Sequence, residues 1–382
     1  MTSGTSNRLR VLFVVDGLAG GGAERSVIRL SAEMAGSGHD VTIATLRDEK
    51  AYDLPEAVTL IPCYDTSPRR LRKIGEMRRR ARILDRALRD RGPWDLVVST
   101  LLVTDRIVRA SRLADQAWYR VPNPLSVERL RPVSGFKRWR RQARLRRIYD
   151  GRKVVAISAG VGRDLVEDLG VRPSRLEVIH NPFDVETIRR LSEEPCPMAG
   201  RDYIVCAGRF SRQKRHDRLF GAFARAGYDG RLVVIGTGTG EQIISVAEAA
   251  RTRSVFERLD LVGFKQNPYP YIKHARTLVL SSDFEGFGNV IVESLICGTP
   301  VVSTRCPHGP EEILTGDLAT GLSDLNEESL AQAIDRVVGN QAPPYCEVSR
   351  GHDQKHRGND VEDVQQHRGR VSVVAVAGPV DR

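Results

Sequence analysis

Two glutamates with seven residues between them could act on one ligand, since Glu285 precedes the start of a predicted helix and Glu293 lies inside it. A polar loop with two glycines, residues 283–288, leads into this helix, which is predicted over residues 289–297 and ended by Gly298. A helix start offers unpaired backbone N–H groups and the positive end of a dipole, so the loop predicts a phosphate site. Carboxylates do not bind phosphate, but they accept hydrogen bonds from sugar hydroxyls. Phosphate with hydroxyls on either side indicates a nucleotide-sugar.

A second glycine-rich turn, Gly20-Gly-Gly-Ala-Glu24, follows the first predicted strand directly. Glycines let the backbone approach a ligand closely, and a helix start favours a phosphate there too. The turn lacks the full spacing of the dinucleotide-binding motif, so a plain strand-to-helix turn remains the alternative.

The pattern Glu285-x-Phe-Gly-x4-Glu293, followed by Cys297-Gly-Thr-Pro-Val-Val302, resembles the signature of the retaining family 4 glycosyltransferases. The resemblance implies an α/β protein with the GT-B fold, in which two Rossmann-like, doubly wound domains face each other across a cleft. It also implies that Glu285 lies beside the donor sugar and that Glu293 binds the ribose. The residues around the helix start, Phe287, Gly288 and Asn289, would bind the donor as well.

Two further motifs match the same family. Gly-Arg and Gln-Lys within residues 208–216 match its phosphate-binding loop, so Arg209 and Lys214 would act with Glu285 in catalysis by neutralising the diphosphate leaving group. Gly21 and Gly22 match the family's N-terminal donor-facing loop. The implied reaction is a hexosyl transfer with retention from a nucleotide-sugar, UDP-linked, to a hydroxyl of a lipid-linked or polysaccharide acceptor. No metal and no cofactor other than this donor substrate is expected.

One departure concerns the sugar side of the site. Many relatives have a histidine just before an asparagine in the first domain, and here Pro122 precedes Asn123. Asn123 or Ser126 would then supply the polar contacts to the sugar. The alternative function is a catalytically impaired, glycosyltransferase-like binding protein that lacks both this histidine and the family's C-terminal bracing helix. A GT-B-fold epimerase is a third possibility, and the Gly-Gly-Ala-Glu loop and Gln213-Lys214 argue against it.

Strands that alternate with helices must position these loops. We predict an acceptor-side domain over residues 8–184, a nucleotide-sugar-binding domain over 185–340, and a disordered or aberrant tail over 341–382 that lacks the family's C-terminal bracing helix. The predicted strands are Arg10–Val15, Val41–Leu46, Val58–Ile61, Leu96–Ser99, Val154–Ile157, Tyr203–Ala207, Arg231–Ile235, Leu259–Val262, Thr277–Ser281 and Val301–Ser303. Val178–Asp184 resembles the family's interdomain strand.

Composition limits the class of protein and its location. The chain has 382 residues and no apolar run long enough to cross a membrane, and its N-terminus resembles no secretory signal, so a cytoplasmic location is expected. Its scattered cysteines, without a C-x-x-C pair, indicate free thiols. The net charge of +11 indicates an anionic partner, which could be nucleic acid, an anionic membrane or an anionic small-molecule substrate.

Much of the excess charge lies in two segments, residues 69–82 and 137–147. The first belongs to a helix predicted over 69–91, with an apolar stripe and arginine on its other faces. In the second, Trp139 among arginines favours an interface. Anionic membrane is favoured over nucleic acid, because no nucleic-acid-binding motif is present, and the chain would be peripheral on the inner face of the cell membrane. A solvated surface is the alternative.

Overall fold

The computed structural model describes residues 8–18, 21–48, 54–64 and 75–339, and these form two compact units that divide between Pro182 and Phe183. The predicted tail, residues 341–382, lies outside the described residues. Within the described ranges, no helix combines the length and the hydropathy that crossing a bilayer requires.

The first unit contains a seven-stranded parallel sheet in the order β3-β2-β1-β4-β5-β6-β7. Its strands are β1 (Arg10–Val15), β2 (Asp40–Thr45), β3 (Val58–Pro62), β4 (Leu96–Thr100), β5 (Trp118–Val121), β6 (Lys153–Ala156) and β7 (Arg175–Val178). Its helices are α1 (Gly22–Gly36), α2 (Glu76–Ala87), α3 (Leu102–Val108), α4 (Gly135–Tyr149) and α5 (Ala159–Arg163). The unbroken apolar run of β1 is buried on both faces, as expected for a central parallel strand.

The second unit contains a six-stranded parallel sheet in the order β10-β9-β8-β11-β12-β13. Its strands are β8 (Tyr203–Ala207), β9 (Arg231–Ile235), β10 (Leu259–Gly263), β11 (Leu278–Leu280), β12 (Val301–Thr304) and β13 (Leu322–Ser323). Its helices are α6 (Val185–Ser192), α7 (His216–Arg225), α8 (Gly240–Thr252), α9 (Tyr269–Lys273), α10 (Asn289–Ile296), α11 (Pro310–Ile313) and α12 (Glu327–Gly339). Buried hydrophobic side chains of β8, β9, α7 and α12, among them Ile204, Val234, Phe220 and Leu330, form its core.

Both sheets have the strand order of the doubly wound fold. In this fold, successive strands are added first to one side of the first strand and then, after a reversal, to its other side. The reversal lies between β1 and β4 in the first unit and between β8 and β11 in the second. The loops that leave these strands at their carboxyl ends are where such folds bind ligands. The predicted fold class of two Rossmann-like α/β domains is confirmed.

The end of the first unit differs from the prediction. The predicted interdomain strand, Val178–Asp184, is wrong beyond its first residue, because β7 ends at Val178. Asp184 instead caps α6 by accepting a hydrogen bond from the N–H of Thr187 at 2.9 Å. Along the chain, the second compact unit begins at Phe183, two residues before the start that the sequence predicted for the second domain.

The first basic segment also differs from the prediction. The described helix α2 ends at Ala87 rather than at residue 91, and residues 69–74 lie outside the described residues. Ala81, Leu84 and Leu88 are buried as the predicted stripe requires. Arg80, however, is buried too, and it forms an ion pair with Asp16 at 3.2 Å. Its charge is therefore internal and cannot contribute to a surface patch.

A buried carboxyl group joins α3 to the end of α4. Asp105 is fully buried, and its two oxygens accept hydrogen bonds from Ser99 Oγ at 2.5 Å and from Tyr149 Oη at 2.8 Å. Burial raises the pKa of Asp105 to about 7, although the two hydrogen bonds act in the opposite direction. The folded protein thus holds a proton here that the unfolded chain releases near its ordinary pKa of 3.8.

This raised pKa predicts a pH-dependent stability. The contribution of Asp105 is fully present below about pH 4 and is lost as the pH rises to about 7, because the unfolded state binds fewer protons in this window. We therefore expect the stability of Asp105→Asn to rise, relative to that of the unmodified chain, as the pH increases from about 4 to about 7. Thermal unfolding over a pH series checks this, with exposed Asp90→Asn as the control. A difference that does not change with pH would contradict the buried, protonated carboxyl.

Candidate functional site

Two loops at the reversal point of the second sheet are joined by hydrogen bonds. The loop after β8 holds Gln213, whose carbonyl accepts from the N–H of Asp283 at 2.8 Å, and whose side-chain amide donates to the carbonyl of Phe284 at 2.6 Å. In return, Ser281 Oγ donates to the carbonyl of Lys214 at 2.8 Å. The two loops, which are about 70 residues apart in sequence, therefore form one structural element.

Lys214 and Glu285 meet within this element. The Lys214 ammonium donates to Glu285 Oε1 at 2.7 Å, and Ser282 Oγ donates to the same oxygen at 2.5 Å. The glutamate side chain is one-tenth exposed and the lysine side chain about one-fifth exposed. In a partly desolvated site such charge-assisted bonds hold both groups in a fixed geometry.

A buried arginine fixes the loop that carries Glu285. Arg218, on α7, donates to the carbonyls of Ser281 at 2.8 Å and Ser282 at 3.3 Å, and to Asp283 Oδ1 at 2.7 Å. Its side chain is only 5% exposed, so these bonds replace all the water that the guanidinium would otherwise bind. The loop from 281 to 283 is therefore held by its backbone and by a carboxylate together.

Glu293 occupies a different environment. It lies on α10 and is buried, and its Oε1 accepts a hydrogen bond from Tyr269 Oη at 3.3 Å. Tyr269 begins α9 and is itself buried. The second predicted carboxylate thus accepts a hydrogen bond from an aromatic hydroxyl, as a group that binds hydroxyls can do.

A third loop, after β12, lies against the start of α10. Gly309 has a φ of +96°, and a Cβ atom there would lie 2.4 Å from the carbonyl oxygen of Phe287. The N–H of Glu285 also donates to the carbonyl of Pro307 at 3.3 Å. Only glycine allows this approach, because a side chain would require both an unfavourable backbone conformation and a shift of Phe287. Gly288, at the helix start, also has a positive φ, +94°.

The remaining predicted cation is placed differently from Lys214. Arg209 is exposed and, across the described ranges, forms no ion pair with a carboxylate. The nearby His216 is buried between Phe210 and Phe220. Burial lowers the pKa of His216 to about 4, so its imidazole is neutral near neutral pH. Arg209 is thus available to an anionic ligand, while Lys214 shares its charge with Glu285 and His216 carries none.

In the first unit, Gly21 caps α1 and Gly22 is its first residue. A Cβ atom at Gly21 would lie 2.2 Å from a carboxylate oxygen of Glu24, so that side chain folds back over the helix start. The predicted donor-binding role of Gly21 and Gly22 therefore needs Glu24 to move aside for a phosphate. Gly20 lies outside the described residues.

The two polar residues predicted to replace the family histidine are both bonded within the first unit. Asn123 Nδ2 donates to Glu128 Oε2 at 3.3 Å. Ser126 donates through its backbone N–H to the buried Asp164 at 3.1 Å, and its hydroxyl also donates to that carboxylate. Ser126 is therefore tied to an internal carboxylate, and Asn123, half-buried, is the more accessible of the two.

The structure brings Lys214 and Glu285 into direct contact. Glu293 is bonded to Tyr269, and Arg209 is exposed. Sequence reasoning missed three residues that orient the predicted groups: Ser282, Arg218 and Tyr269. Arg218 looked like one of many surface arginines, and no feature of the sequence distinguishes it. The proximity of Ser282 to Glu285 in the same loop was the one signal that could have been used.

Comparison with known proteins identifies the two units. Residues 20–187 match the family model described as Glycosyltransferase Family 4, and residues 201–340 match the one described as Glycosyl transferases group 1. A Campylobacter jejuni protein, N-acetylgalactosamine-N,N'-diacetylbacillosaminyl-diphospho-undecaprenol 4-alpha-N-acetylgalactosaminyltransferase, is 31% identical over 47% of this chain and 49% of its own length. The lipopolysaccharide 1,6-galactosyltransferase of Escherichia coli K12 is 29% identical over 43% and 46%. The chain thus spans about half the length of these relatives.

Solved structures match more of the chain at lower identity. HepE of Anabaena, crystallised with UDP and glucose, superposes with a TM-score of 0.68 at 18% identity, covering 88% of this chain and 92% of HepE. WaaG, a glycosyltransferase involved in lipopolysaccharide biosynthesis, gives 0.68 at 18% identity, covering 90% and 95%. At these identities the likeness concerns the fold. The two family matches show that the chain belongs to the family 4 glycosyltransferases, and the structural likeness shows that it has the GT-B fold.

Proposed function

We propose that this protein is an active transferase that moves a hexose from a nucleotide-sugar, with UDP as the nucleotide, to a hydroxyl of a lipid-linked or polysaccharide acceptor. The transfer would proceed with retention and without a metal ion. The observation that carries the proposal is the Lys214–Glu285 pair, which the two interlocked loops hold at the reversal point of the second sheet, directly before α10.

The charges of this site suit the departure of a nucleoside diphosphate. Negative charge grows on the diphosphate as the glycosidic bond breaks, and a transferase without metal needs cations or N–H donors to stabilise it. Arg209 is exposed and can form a forked pair of bonds with phosphate oxygens. Lys214 can share its ammonium between Glu285 and a phosphate, because it has three donor hydrogens. Glu285 would face the sugar, where positive charge develops.

The choice of donor and acceptor rests on the relatives. HepE was crystallised with UDP and glucose, which supports UDP as the nucleotide. The Campylobacter relative acts on an undecaprenyl diphosphate-linked glycan and the Escherichia coli relative on lipopolysaccharide, which supports a lipid-linked acceptor. Such an acceptor lies in a membrane, so we also propose that the protein works at the inner face of the cell membrane as a peripheral protein.

Donor binding and turnover test the proposal directly. We expect the full chain to bind UDP more tightly than GDP, to hydrolyse or transfer a UDP-sugar, and to remain active in a chelator. Glu293→Gln is expected to weaken UDP binding about tenfold, since the charged acceptor of the ribose hydrogen bond becomes a neutral amide. Titration calorimetry with UDP and GDP and a donor-hydrolysis assay measure these effects.

The control is Glu328→Gln, which removes a carboxylate from the exposed face of α12, where Glu328 accepts a bond from Gln332 at 3.1 Å. An absolute requirement for a metal would contradict the metal-free mechanism. Unchanged UDP affinity in Glu293→Gln would remove the ribose role of that residue. UDP binding with no turnover of any UDP- or GDP-sugar would indicate the catalytically impaired binding protein instead.

A further inference from the structure

The first half of α4 is unusually exposed. Every residue from 134 to 141 is exposed, and Phe136 and Trp139 are exposed by 70% and 63%. No other large hydrophobic side chain in the described ranges is exposed as much. Aromatic rings bury large apolar areas in most folded proteins, so two largely exposed rings on one turn of helix indicate a contact surface.

The two rings form a single apolar knob. Phe136 and Trp139 are three positions apart and therefore share a helix face, and their ring centroids lie 5.5 Å apart with planes at 18°. The guanidinium of Arg140 lies 5.7 Å from the centre of the Phe136 ring. The pair thus presents a stacked aromatic surface with a cation at its edge.

Around this knob the charge has one sign. The helix contains seven basic residues and no acidic one, and among the described residues only Arg146 of these seven forms an ion pair, with Asp150 at 3.8 Å. The basic residues are Lys137, Arg138, Arg140, Arg141, Arg144, Arg146 and Arg147. The cations next to the rings therefore favour an anionic counterpart.

The second half of α4 anchors the helix to its unit. Leu145, Ile148 and Tyr149 are buried, and Tyr149 is bonded to Asp105. Gln142 donates to the carbonyl of Leu169 at 3.1 Å. The exposed half is thus the continuation of a firmly packed helix and not a frayed end.

We propose that the Phe136–Trp139 pair inserts into the interfacial region of a bilayer that contains anionic lipid, with the surrounding cations binding the lipid phosphates. Tryptophan favours the interface because its ring is apolar and its N–H remains hydrated. This adds an apolar anchor to the electrostatic attraction predicted from the basic segments, and it assigns the anchor to α4 and not to α2, whose Arg80 is internal.

The pattern fits a bilayer better than the other possible partners. A helix that docks in a protein groove shows an apolar stripe along its whole length, whereas the exposed large apolar residues here are confined to one end. A second copy of this helix would bring like charges together. Single-stranded nucleic acid, which stacks its bases on aromatic faces, is the competing partner that the vesicle and RNA experiments below distinguish.

Co-sedimentation of the full chain with vesicles tests the inference. We expect binding to phosphatidylcholine vesicles that contain phosphatidylglycerol, and we expect the double variant Phe136→Ala, Trp139→Ala to bind them about tenfold more weakly or worse. Phe256→Ala is the matched control, because Phe256 is also exposed and carries Arg251 at 4.5 Å from its ring centre. Its binding should equal that of the unmodified chain.

Fluorescence separates insertion from charge attraction. Lipids brominated in their acyl chains should quench the tryptophan emission of the unmodified chain, and Trp139→Phe should bind with similar affinity but lose this quenching. Equal binding by the double variant, equal quenching in Trp139→Phe, or binding to RNA without binding to vesicles would each overturn the inference. Vesicle binding is measured without donor or acceptor, so this inference and the proposed transferase activity can fail separately.

Discussion

Glu285→Gln is expected to lower the turnover of sugar transfer by about 10²–10³-fold while donor affinity changes little. Glutamine keeps the shape of the side chain and can still accept bonds from Lys214 and Ser282. It removes the negative charge that would stabilise the positive charge developing on the sugar as its bond to the diphosphate breaks. The loss should therefore appear in kcat and not in the dissociation constant for UDP.

Single-turnover kinetics and UDP titration measure the two quantities separately. Ser282→Ala is the comparison, because it removes one hydrogen bond to Glu285 at 2.5 Å and leaves the charge in place. Its effect should be about tenfold or less. Turnover of Glu285→Gln within threefold of the unmodified chain would mean that the charge of Glu285 has no part in the reaction.

Arg218→Met is expected to destabilise the second unit by about 3–5 kcal/mol. Methionine fills a similar volume, but the carbonyl of Ser281 loses this buried donor, and the carbonyl of Ser282 keeps the bond from Thr304 Oγ1 at 2.8 Å. Asp283 retains only its contact with Arg215 at 3.0 Å. The loop that carries Glu285 should then open more often than the rest of the unit.

Urea unfolding combined with hydrogen exchange of peptides from the second unit measures both effects. Arg225→Met, on the same helix, is the matched control. Arg225 is about half exposed and pairs with Glu327 at 3.2 Å, so its loss should cost less than about 1 kcal/mol. Two variants of equal stability would show that the bonds of Arg218 contribute nothing beyond those of a surface arginine.

The central strands were predictable because burial on both faces leaves a continuous apolar run. The bounds of β1, β8 and β9 agree with the prediction residue for residue. Sequence reasoning missed β5 because it contains Arg120, a charged residue that the fold buries and bonds to Asn181. It missed β13 because two residues carry no periodicity.

For the candidate site, residue types were predictable and their pairing was not. The loop-and-helix pattern predicts Glu285 and Glu293 as acceptors beside a helix start, because that chemistry is local in sequence. The contact between Lys214 and Glu285 depends on β8 and β11 being neighbours in the sheet, which no local pattern specifies. The same holds for Tyr269 and Arg218, whose partners are more than 20 and more than 60 residues away.

The close approach of Gly309 to Phe287 has a consequence for protein engineering. The loops after β11 and β12 contact each other through their backbones. If only one of the two loops were replaced by the loop of another glycosyltransferase, the new loop would not fit the loop that remains. Residues 285–289 and 306–313 should therefore be exchanged as one cassette when donor choice is to be altered. Within such a cassette, position 309 should stay glycine in any library, because a side chain there would clash with the backbone of Phe287.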